Sequence, residues 1–327
     1  MHRETTRTTD PSGKSISLSA RSISAVLVAF LGFIVASGVV PSFAQASDDS
    51  LRFSVDEISQ TDTYWTQPRI TEAIENPVPL LGAVVADRSY PYSGAPFGVS
   101  SALRHRPVKP KDRNPAIGKL FMRYLGVKVH CSGTLIKTRS LRLVLTAAHC
   151  LQLSGIWSTH VTFVPDYRNG RRPYGTYSSK ALWITGNWAR HPHFPSLNFD
   201  LGIVKLRKRA GKRTGAVRYK TFPGRSGKTH IYGYPSGAMR GQKLCVCTSR
   251  TWEGPGYSAR SLGPTGMAAR CNMASGSSGG PWISHSKKGA RYLHGITSAS
   301  PRSNRRKFSS PYLGKKLRAL IHKAENN

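Results

Sequence analysis

The residues best suited to chemistry lie in the stretch SGSSGGPW, at positions 275–282. Three glycines around Ser278 allow a tight backbone path, so its hydroxyl can project while the N–H groups of Gly276 and Ser278 point at one spot. Such a spot stabilises the oxyanion that forms when a serine attacks a carbonyl carbon. The alternative is an ordinary surface turn rich in glycine and serine. The chemical interpretation therefore requires a base and an acid elsewhere in the chain.

A serine hydroxyl becomes nucleophilic when a histidine takes its proton and a carboxylate orients that histidine. His149 is the candidate base, because it follows the apolar, strand-like run RLVLTAA, which predicts a rigid position. Beyond residue 116 the chain has two aspartates: Asp166 lies in the turn-like VPDYRNG, and Asp200 precedes LGIVKL. A carboxylate beside a buried strand needs a partner to offset its desolvation. The sequence therefore favours His149 and Asp200 as the partners of Ser278.

Three motifs together resemble those of the trypsin/chymotrypsin-like serine peptidases. They occur in the order His, Asp, Ser, and they are TAAHC at 146–150, FDLGIVKL at 199–206 and GSSGGP at 276–281. The resemblance runs from about residue 116 to the C-terminus. Within the family, the chain is most similar to bacterial secreted members related to the glutamyl endopeptidases.

The resemblance implies a fold and a set of roles. The fold would be two antiparallel six-stranded β-barrels, with His149 and Asp200 from the first barrel and Ser278 from the second meeting at the cleft. The family also bridges the cysteine after the histidine to one in a preceding strand, which maps onto Cys150 and Cys131. That disulfide would fix the turn that carries the general base.

The chain departs from the family pattern at the residue before the nucleophile, and the family layout also indicates which residues line the specificity pocket. Animal members have an aspartate directly before the nucleophile, which captures a newly formed N-terminus, but this chain has Ser277. Activation by that ion pair is therefore not expected. The walls of the specificity pocket would include Asn272, Thr297 and Ser300, and no acidic residue accompanies them. We expect hydrogen bonding to a polar or acidic substrate side chain rather than a preference for Lys or Arg.

The pattern of short apolar runs predicts an all-β protein. Beyond residue 116, runs such as KVHCSGTLI, HVTFVP and ALWIT alternate with turn residues. A basic stretch at 207–220 divides them into two groups, which predicts β-barrels at 116–210 and 211–310. The segment 311–327 is predicted to be a C-terminal helix with apolar residues at helical spacing, which are Leu313, Leu317, Leu320 and Ile321.

The N-terminus has the layout of a secretory signal peptide, with basic residues, an apolar run at 25–40 and the small-residue sequence that ends at Ala46. The alternative is an uncleaved membrane anchor, but the run is shorter than the roughly 20 residues that a spanning helix needs. We expect cleavage of residues 1–46 and no stable membrane span afterwards. The protein is therefore expected to be secreted or periplasmic, and bacterial.

The location determines how the five cysteines are interpreted, because an oxidising compartment favours disulfides. Two bridges and one free thiol are expected, with Cys271 paired to Cys245 or to Cys247. A metal site is not expected, since the sequence lacks a C-x-x-C pair and the histidines of HPH at 191–193 are typical of a loop. No cofactor is predicted.

Residues 47–115 are interpreted as a propeptide, or as an N-terminal extension that stays attached. This segment is rich in proline and ends in the basic run RPVKPKDRNP, which looks accessible to proteases. Residues 47–92 contain three basic and eight acidic residues, whereas residues 116–327 contain 37 Lys and Arg against four acidic residues. The two parts should attract one another.

The formal net charge of +34 predicts non-specific binding to anionic polymers or surfaces. The basic residues are spread over strands and loops, so no specific nucleic-acid recognition is expected. The leading hypothesis is a secreted serine endopeptidase that cleaves proteins or peptides through an acyl-enzyme on Ser278. The alternative is a catalytically silent, basic binding protein on the same fold.

Overall fold

The computed structural model describes residues 45–47, 49–75, 105–190, 194–236, 239–254, 262–273, 275–300 and 307–327. Residues 1–44, which contain most of the predicted signal peptide, lie outside this description. Within the described residues, none of the helices has the length and apolar character that crossing a membrane requires.

Residues 45–47 and 49–75 form a β-hairpin followed by two helices, regular structure that the sequence pattern of this segment does not predict. The elements are β1 (Gln45–Ser47), β2 (Ser50–Arg52), α1 (Val55–Tyr64) and α2 (Gln67–Glu75). A capping box starts α1, because the Ser54 hydroxyl accepts from the Glu57 N–H while the Glu57 carboxylate accepts from the Ser54 N–H. The predicted signal cleavage point after Ala46 falls within β1.

The first barrel follows a short strand, β3 (Arg106–Pro107). Its elements are β4 (Ile117–Tyr124), β5 (Val127–Leu135), β6 (Leu143–Thr146), the small hairpin of β7 (Gln152–Leu153) and β8 (Ile156–Trp157), β9 (Thr159–Pro165), β10 (Tyr177–Ile184), α3 (Gly186–Arg190) and β11 (Gly202–Leu206). The hydrogen-bonded order is β10-β11-β6-β5-β4-β9, and β9 pairs again with β10. Six antiparallel strands therefore close into a barrel.

The second half of the chain forms a curled sheet of six antiparallel strands. After α4 (Gly211–Thr214) come β12 (Gly227–Gly233), β13 (Cys245–Glu253), β14 (Met267–Arg270), β15 (Pro281–His285), β16 (Arg291–Ile296) and β17 (Lys307–Ser310). Their order is β16-β15-β12-β13-β14-β17, and β3 pairs with β13 at the side. This half-barrel, the closed first barrel and the terminal helix confirm the predicted chymotrypsin-like fold.

The C-terminal helix α5 (Lys315–Asn326) packs on the first barrel. Its apolar face is buried, as the helical spacing predicts, through Leu317, Leu320, Ile321 and Ala324. Leu313 is buried too, although it lies just before the helix begins. The Lys205 ammonium of β11 donates to the carbonyl of Ala324 at 2.9 Å, which fixes the end of the helix.

Both disulfides and the free thiol are present in the described residues. Cys131 of β5 pairs with Cys150, and Cys247 of β13 pairs with Cys271. Cys245 is a buried free thiol, and burial raises its pKa to about 12. Since the thiol is protonated at all ordinary pH values, Cys245 is a small apolar core residue rather than a nucleophile.

We expect Cys131→Ala/Cys150→Ala to lower the free energy of unfolding by about 3 kcal/mol, because the bridge closes a loop between residues 19 apart in sequence. Urea denaturation measures the loss. The control is Cys245→Ala, which removes no cross-link and should cost about 1 kcal/mol. Equal losses for the two variants would contradict a structural role for the bridge.

Candidate active site

His149 lies on a turn that the surrounding structure holds tightly. Strand β6 ends at Thr146, and the chain then makes a single 3₁₀ turn over Ala148–Cys150. The disulfide from Cys150 to Cys131 ties this turn to the neighbouring strand β5. His149 is therefore fixed from both sides, by the end of a core strand and by a covalent cross-link.

Asp200 is the partner of His149. Its Oδ1 accepts from the His149 backbone N–H at 2.9 Å, and its Oδ2 lies 2.8 Å from His149 Nδ1. Both side chains are fully buried. Because a carboxylate oxygen accepts, Nδ1 carries the ring proton and Nε2 is left as the acceptor of the neutral ring. Nε2 is buried and has no hydrogen-bond partner in the described part of the chain.

A third donor to Asp200 comes from the second half of the chain, and no sequence pattern predicts it. The Ser298 hydroxyl donates to Asp200 Oδ2 at 2.6 Å. Ser298 is buried and follows β16, which ends at Ile296. A serine on a segment that leaves a strand has no distinguishing sequence pattern, so only the fold shows this contact.

The turn at 275–280, which we call the oxyanion turn, is anchored on Ser132 of β5. The Ser132 N–H donates to the carbonyl of Ser278 at 2.8 Å, and its hydroxyl donates to the carbonyl of Gly276 at 2.8 Å. The same hydroxyl accepts from the Tyr234 N–H at 2.9 Å. One serine of the first barrel therefore holds both residues whose N–H groups are candidate oxyanion donors.

The oxyanion turn also packs against the end of β6, two residues before the turn that carries His149. A Cβ atom on Gly279 would lie 2.1 Å from the Thr146 hydroxyl and 3.0 Å from the Ala147 nitrogen. Gly279 has φ +77°, which disfavours other residues as well. The GSSGGP motif thus needs this glycine so that the turn can approach the histidine strand closely.

Ser278 is half-buried, and its hydroxyl does not hydrogen-bond His149 Nε2. In enzymes, the hydrogen bond between a nucleophile and its base is often long when no substrate is bound. Among the described residues, no hydrogen bond is formed by the N–H groups of Gly276 and Ser278.

The predicted pocket residues have different environments. Asn272 Oδ1 accepts from the His105 N–H at 3.1 Å, and the Thr297 hydroxyl accepts from Trp282 Nε1 at 3.0 Å. The Ser300 hydroxyl is buried and has no partner within the described ranges.

Asp166, the other aspartate considered, belongs to a separate place. It follows β9 with φ +46° and forms an ion pair with Arg168 at 3.1 Å. Burial raises the pKa of its carboxyl group. Asp166 therefore belongs to a structural turn, and Asp200 is the aspartate that contacts His149.

One group of potential metal ligands occurs in the described residues. The ligand atoms of Cys131, His149 and Cys150 lie within 4.8 Å of one another. The two sulfur atoms are joined in a disulfide, so they supply no thiolate. The grouping reflects the cross-link beside the histidine and is not a metal site.

The comparisons with known proteins agree with this geometry. A family model described as Trypsin matches residues 104–313. The crystal structure of the protease Anisep from Arthrobacter nicotinovorans matches at 26% identity, covering 69% of this chain and 99% of that chain with a TM-score of 0.59. A thermostable serine protease, AL20, from an extremophilic microorganism matches at 25% identity, covering 65% and 99% with a TM-score of 0.58.

A third structure, of a Glu endopeptidase, is 16% identical, covers 68% of this chain and 97% of that chain, and has a TM-score of 0.53. At this identity it shows a shared fold and no more. No curated protein sequence matches the chain.

We expect Ser298→Ala to lower the free energy of unfolding by about 1.5 to 3 kcal/mol, because a buried carboxylate loses a donor. The matched control is Ser309→Ala, which removes a buried hydrogen bond to a neutral acceptor, the carbonyl of Ala299. That control should cost about 1 kcal/mol. Urea denaturation of both variants makes the comparison, and a smaller loss for Ser298→Ala would show that Asp200 does not depend on it.

Proposed function

Because the chain belongs to the trypsin family of serine proteases, we propose that it is a secreted serine endopeptidase that works through an acyl-enzyme on Ser278. The observation that carries the proposal is the Asp200–His149 pair. Asp200 fixes the Nδ1–H tautomer, so the buried Nε2 is the basic nitrogen. The glycine-rich turn behind Ser132 supports the assignment of the nucleophile.

In the first half of the reaction, His149 Nε2 takes the proton of the Ser278 hydroxyl while Oγ forms a bond to the substrate carbonyl carbon. The carbonyl electron pair moves to oxygen, where the N–H groups of Gly276 and Ser278 stabilise the negative charge. Asp200 stabilises the imidazolium ion. His149 then gives its proton to the amide nitrogen, the C–N bond breaks, and the amine leaves with the acyl group bound to Ser278.

In the second half, water replaces the amine. His149 takes a proton from the water molecule while the water oxygen attacks the acyl carbon. The same N–H groups stabilise the second oxyanion. The bond to Ser278 Oγ breaks, and His149 returns the proton to that oxygen. The products are a carboxylic acid and the original enzyme, so atoms and charges balance without a cofactor.

The specificity pocket is proposed to bind polar or acidic side chains. The residues proposed for its walls, Asn272, Thr297 and Ser300, are uncharged, and the Ser300 hydroxyl is the one with no described partner. A positively charged side chain would find no acid among them and would meet a strongly basic protein. A hydrogen bond donated by Ser300 would favour a polar or acidic residue at the cleaved position.

The location and further partners follow from the N-terminus and the charge. We propose export through the signal at residues 1–46, and the two disulfides support an oxidising compartment. The excess of 37 basic over four acidic residues from residue 116 onward supports retention on anionic polymers or surfaces. No specific nucleic-acid partner is proposed.

We expect Ser278→Ala to lower kcat for a peptide substrate by about four to six orders of magnitude, since the nucleophile is lost while the oxyanion donors remain. The control is Ser275→Ala, which keeps the backbone carbonyl that accepts from Ser236 and should retain nearly full activity. Unchanged hydrolysis by Ser278→Ala would refute the proposal. A folded wild type that hydrolyses no peptide or ester but binds anionic polymers in a salt-sensitive manner would support the silent binding protein instead.

A peptide library should show cleavage after polar or acidic residues, with Ser300→Ala reducing the preference for acidic over apolar residues by about tenfold or more, as expected for a lost hydrogen bond to a charge. The measured quantity is the ratio of kcat/KM values for matched peptides. Efficient cleavage after Lys or Arg would contradict the proposed pocket.

A further inference from the structure

Residues 49–75, which we call the N-terminal segment and which follow the proposed signal cleavage point after Ala46, form part of the main hydrophobic core. Five of its apolar side chains are at most 6% exposed and cluster with those of the first barrel: Leu51, Trp65, Ile70, Ala73 and Ile74. Burial of large apolar side chains is the main source of stabilisation in folded proteins. The segment is therefore integrated into the body and is not a loosely attached leader.

Main-chain pairing adds to this packing. Strand β2 pairs antiparallel with β10, with Leu51 opposite Leu182, so the segment extends the sheet of the first barrel. The indole N–H of Trp65 donates to the carbonyl of His160 at 2.6 Å. These hydrogen bonds fix the register of the segment on the barrel.

The charge asymmetry predicted from the sequence appears as ion pairs between the segment and the body. Acidic residues of the segment pair with basic residues of the body, and the pairs are Glu72–Lys128 at 2.8 Å, Asp62–Arg207 at 2.5 Å and Asp49–Lys323 at 2.7 Å. All three pairs are partly exposed, so each adds little binding free energy. They select the orientation of the segment, whereas the apolar core holds it.

Helix α2 of the segment reaches a buried histidine. The carbonyl of Ala73 lies 3.0 Å from His130 Nδ1. A carbonyl oxygen only accepts, so Nδ1 carries the proton. Burial, together with the nearby Lys119 ammonium, lowers the pKa of His130 to about 3, and the ring is neutral at any physiological pH.

The opposite edge of the His130 ring lies against the oxyanion turn. A Cβ atom on Gly276 would lie 2.3 Å from His130 Nε2, so the ring and the glycine backbone are in close contact. Gly276 has φ +86°, a conformation that favours glycine. His130 therefore occupies the space behind the backbone whose N–H is proposed to bind the oxyanion.

A buried lysine holds a further loop beside the His130 ring. Lys119 donates to the carbonyl of Gly241 at 2.7 Å and lies over three aromatic rings, those of Phe121, Tyr167 and Tyr234. A Cβ atom on Gly241 would lie 2.9 Å from His130 Nε2, so this loop lies beside the same ring. His130 is thus enclosed by α2, by the Gly241 loop and by the oxyanion turn.

We propose that the N-terminal segment is a permanent, required part of the catalytic body, and that α2 acts through His130 as a positioning residue that holds the oxyanion turn. This inference rests on the proposed function, because the turn is assigned its role there. Ser277, rather than an acidic residue, precedes the nucleophile, so a buried carboxylate at that position does not order the turn. Contact with His130 and Ser132 takes its place.

The first test concerns docking and does not require activity. A recognition sequence for a foreign protease is placed between residues 76 and 104 of the full chain, the chain is cut, and the products are separated by size exclusion at about 0.1 M and about 1 M salt. Intact mass identifies the fragments. The N-terminal fragment should elute with the body at both salt concentrations, and its separation from the wild-type body would overturn the proposal.

Matched variants of α2 and the residue before it release or retain the segment. Ile70→Asp places a charge at a fully buried position and should release the fragment after cutting, whereas Thr66→Asp adds the same charge at an exposed position and should not. Release should lower kcat by about 10- to 100-fold with KM changed by less than about twofold, the pattern expected when an oxyanion donor is misplaced. Unchanged or increased kcat after release would overturn the proposal.

Substitution of His130 tests the link itself. His130→Asn keeps an N–H donor near the carbonyl of Ala73, whereas His130→Ala removes both the donor and the ring. His130→Ala should lose about 10- to 100-fold in kcat, and His130→Asn should recover part of that loss. Equal kcat values for both variants and the wild type would overturn the positioning role. If turnover proves independent of Ser278, the proposed function fails, while the size-exclusion result still decides whether the segment stays docked.

Discussion

The buried carboxylate of Asp200 is the constraint on which the candidate site depends. Its oxygens accept hydrogen bonds from the backbone and ring of His149 and from the Ser298 hydroxyl. Without these donors a fully buried carboxylate would strongly destabilise the fold. The turn after β6 and the segment after β16 must therefore converge on it. Because one lies in each half of the chain, satisfying this one group also aligns the two halves.

Strand β5 connects three parts of the molecule that meet at the candidate site. Cys131 holds the turn of His149, Ser132 holds the oxyanion turn, and His130 lies between that turn and α2. Three consecutive residues thus connect the candidate base, the candidate oxyanion donors and the N-terminal segment. Since side chains alternate along a strand, neighbouring residues can serve different layers of the molecule.

The sequence was most informative where a local pattern carries the structure. The run before His149, the apolar strand after Asp200 and the helical spacing at Leu317 and Leu320 all led to correct elements. The sequence pattern did not predict helices α1 and α2, because their apolar residues are few. Packing of those residues against the barrel, and not their spacing alone, explains the helices. Ser298 and Ser132 were missed because their partners are distant in sequence.

The cysteines show the same limit. The pairing of Cys131 with Cys150 followed from a family resemblance, but Cys245 and Cys247 lie two residues apart on one strand and share a face. Alternation of side chains along the strand cannot separate them, and the pairing of Cys247 with Cys271 depends on tertiary structure.

The most direct test of the assigned nucleophile is labelling of the folded protein with a fluorophosphonate probe, followed by intact mass and peptide mapping. We expect one label, on Ser278, that is absent in Ser278→Ala and strongly reduced in Asp200→Asn. A folded wild type that takes no label, or takes it on another serine, would contradict the assignment.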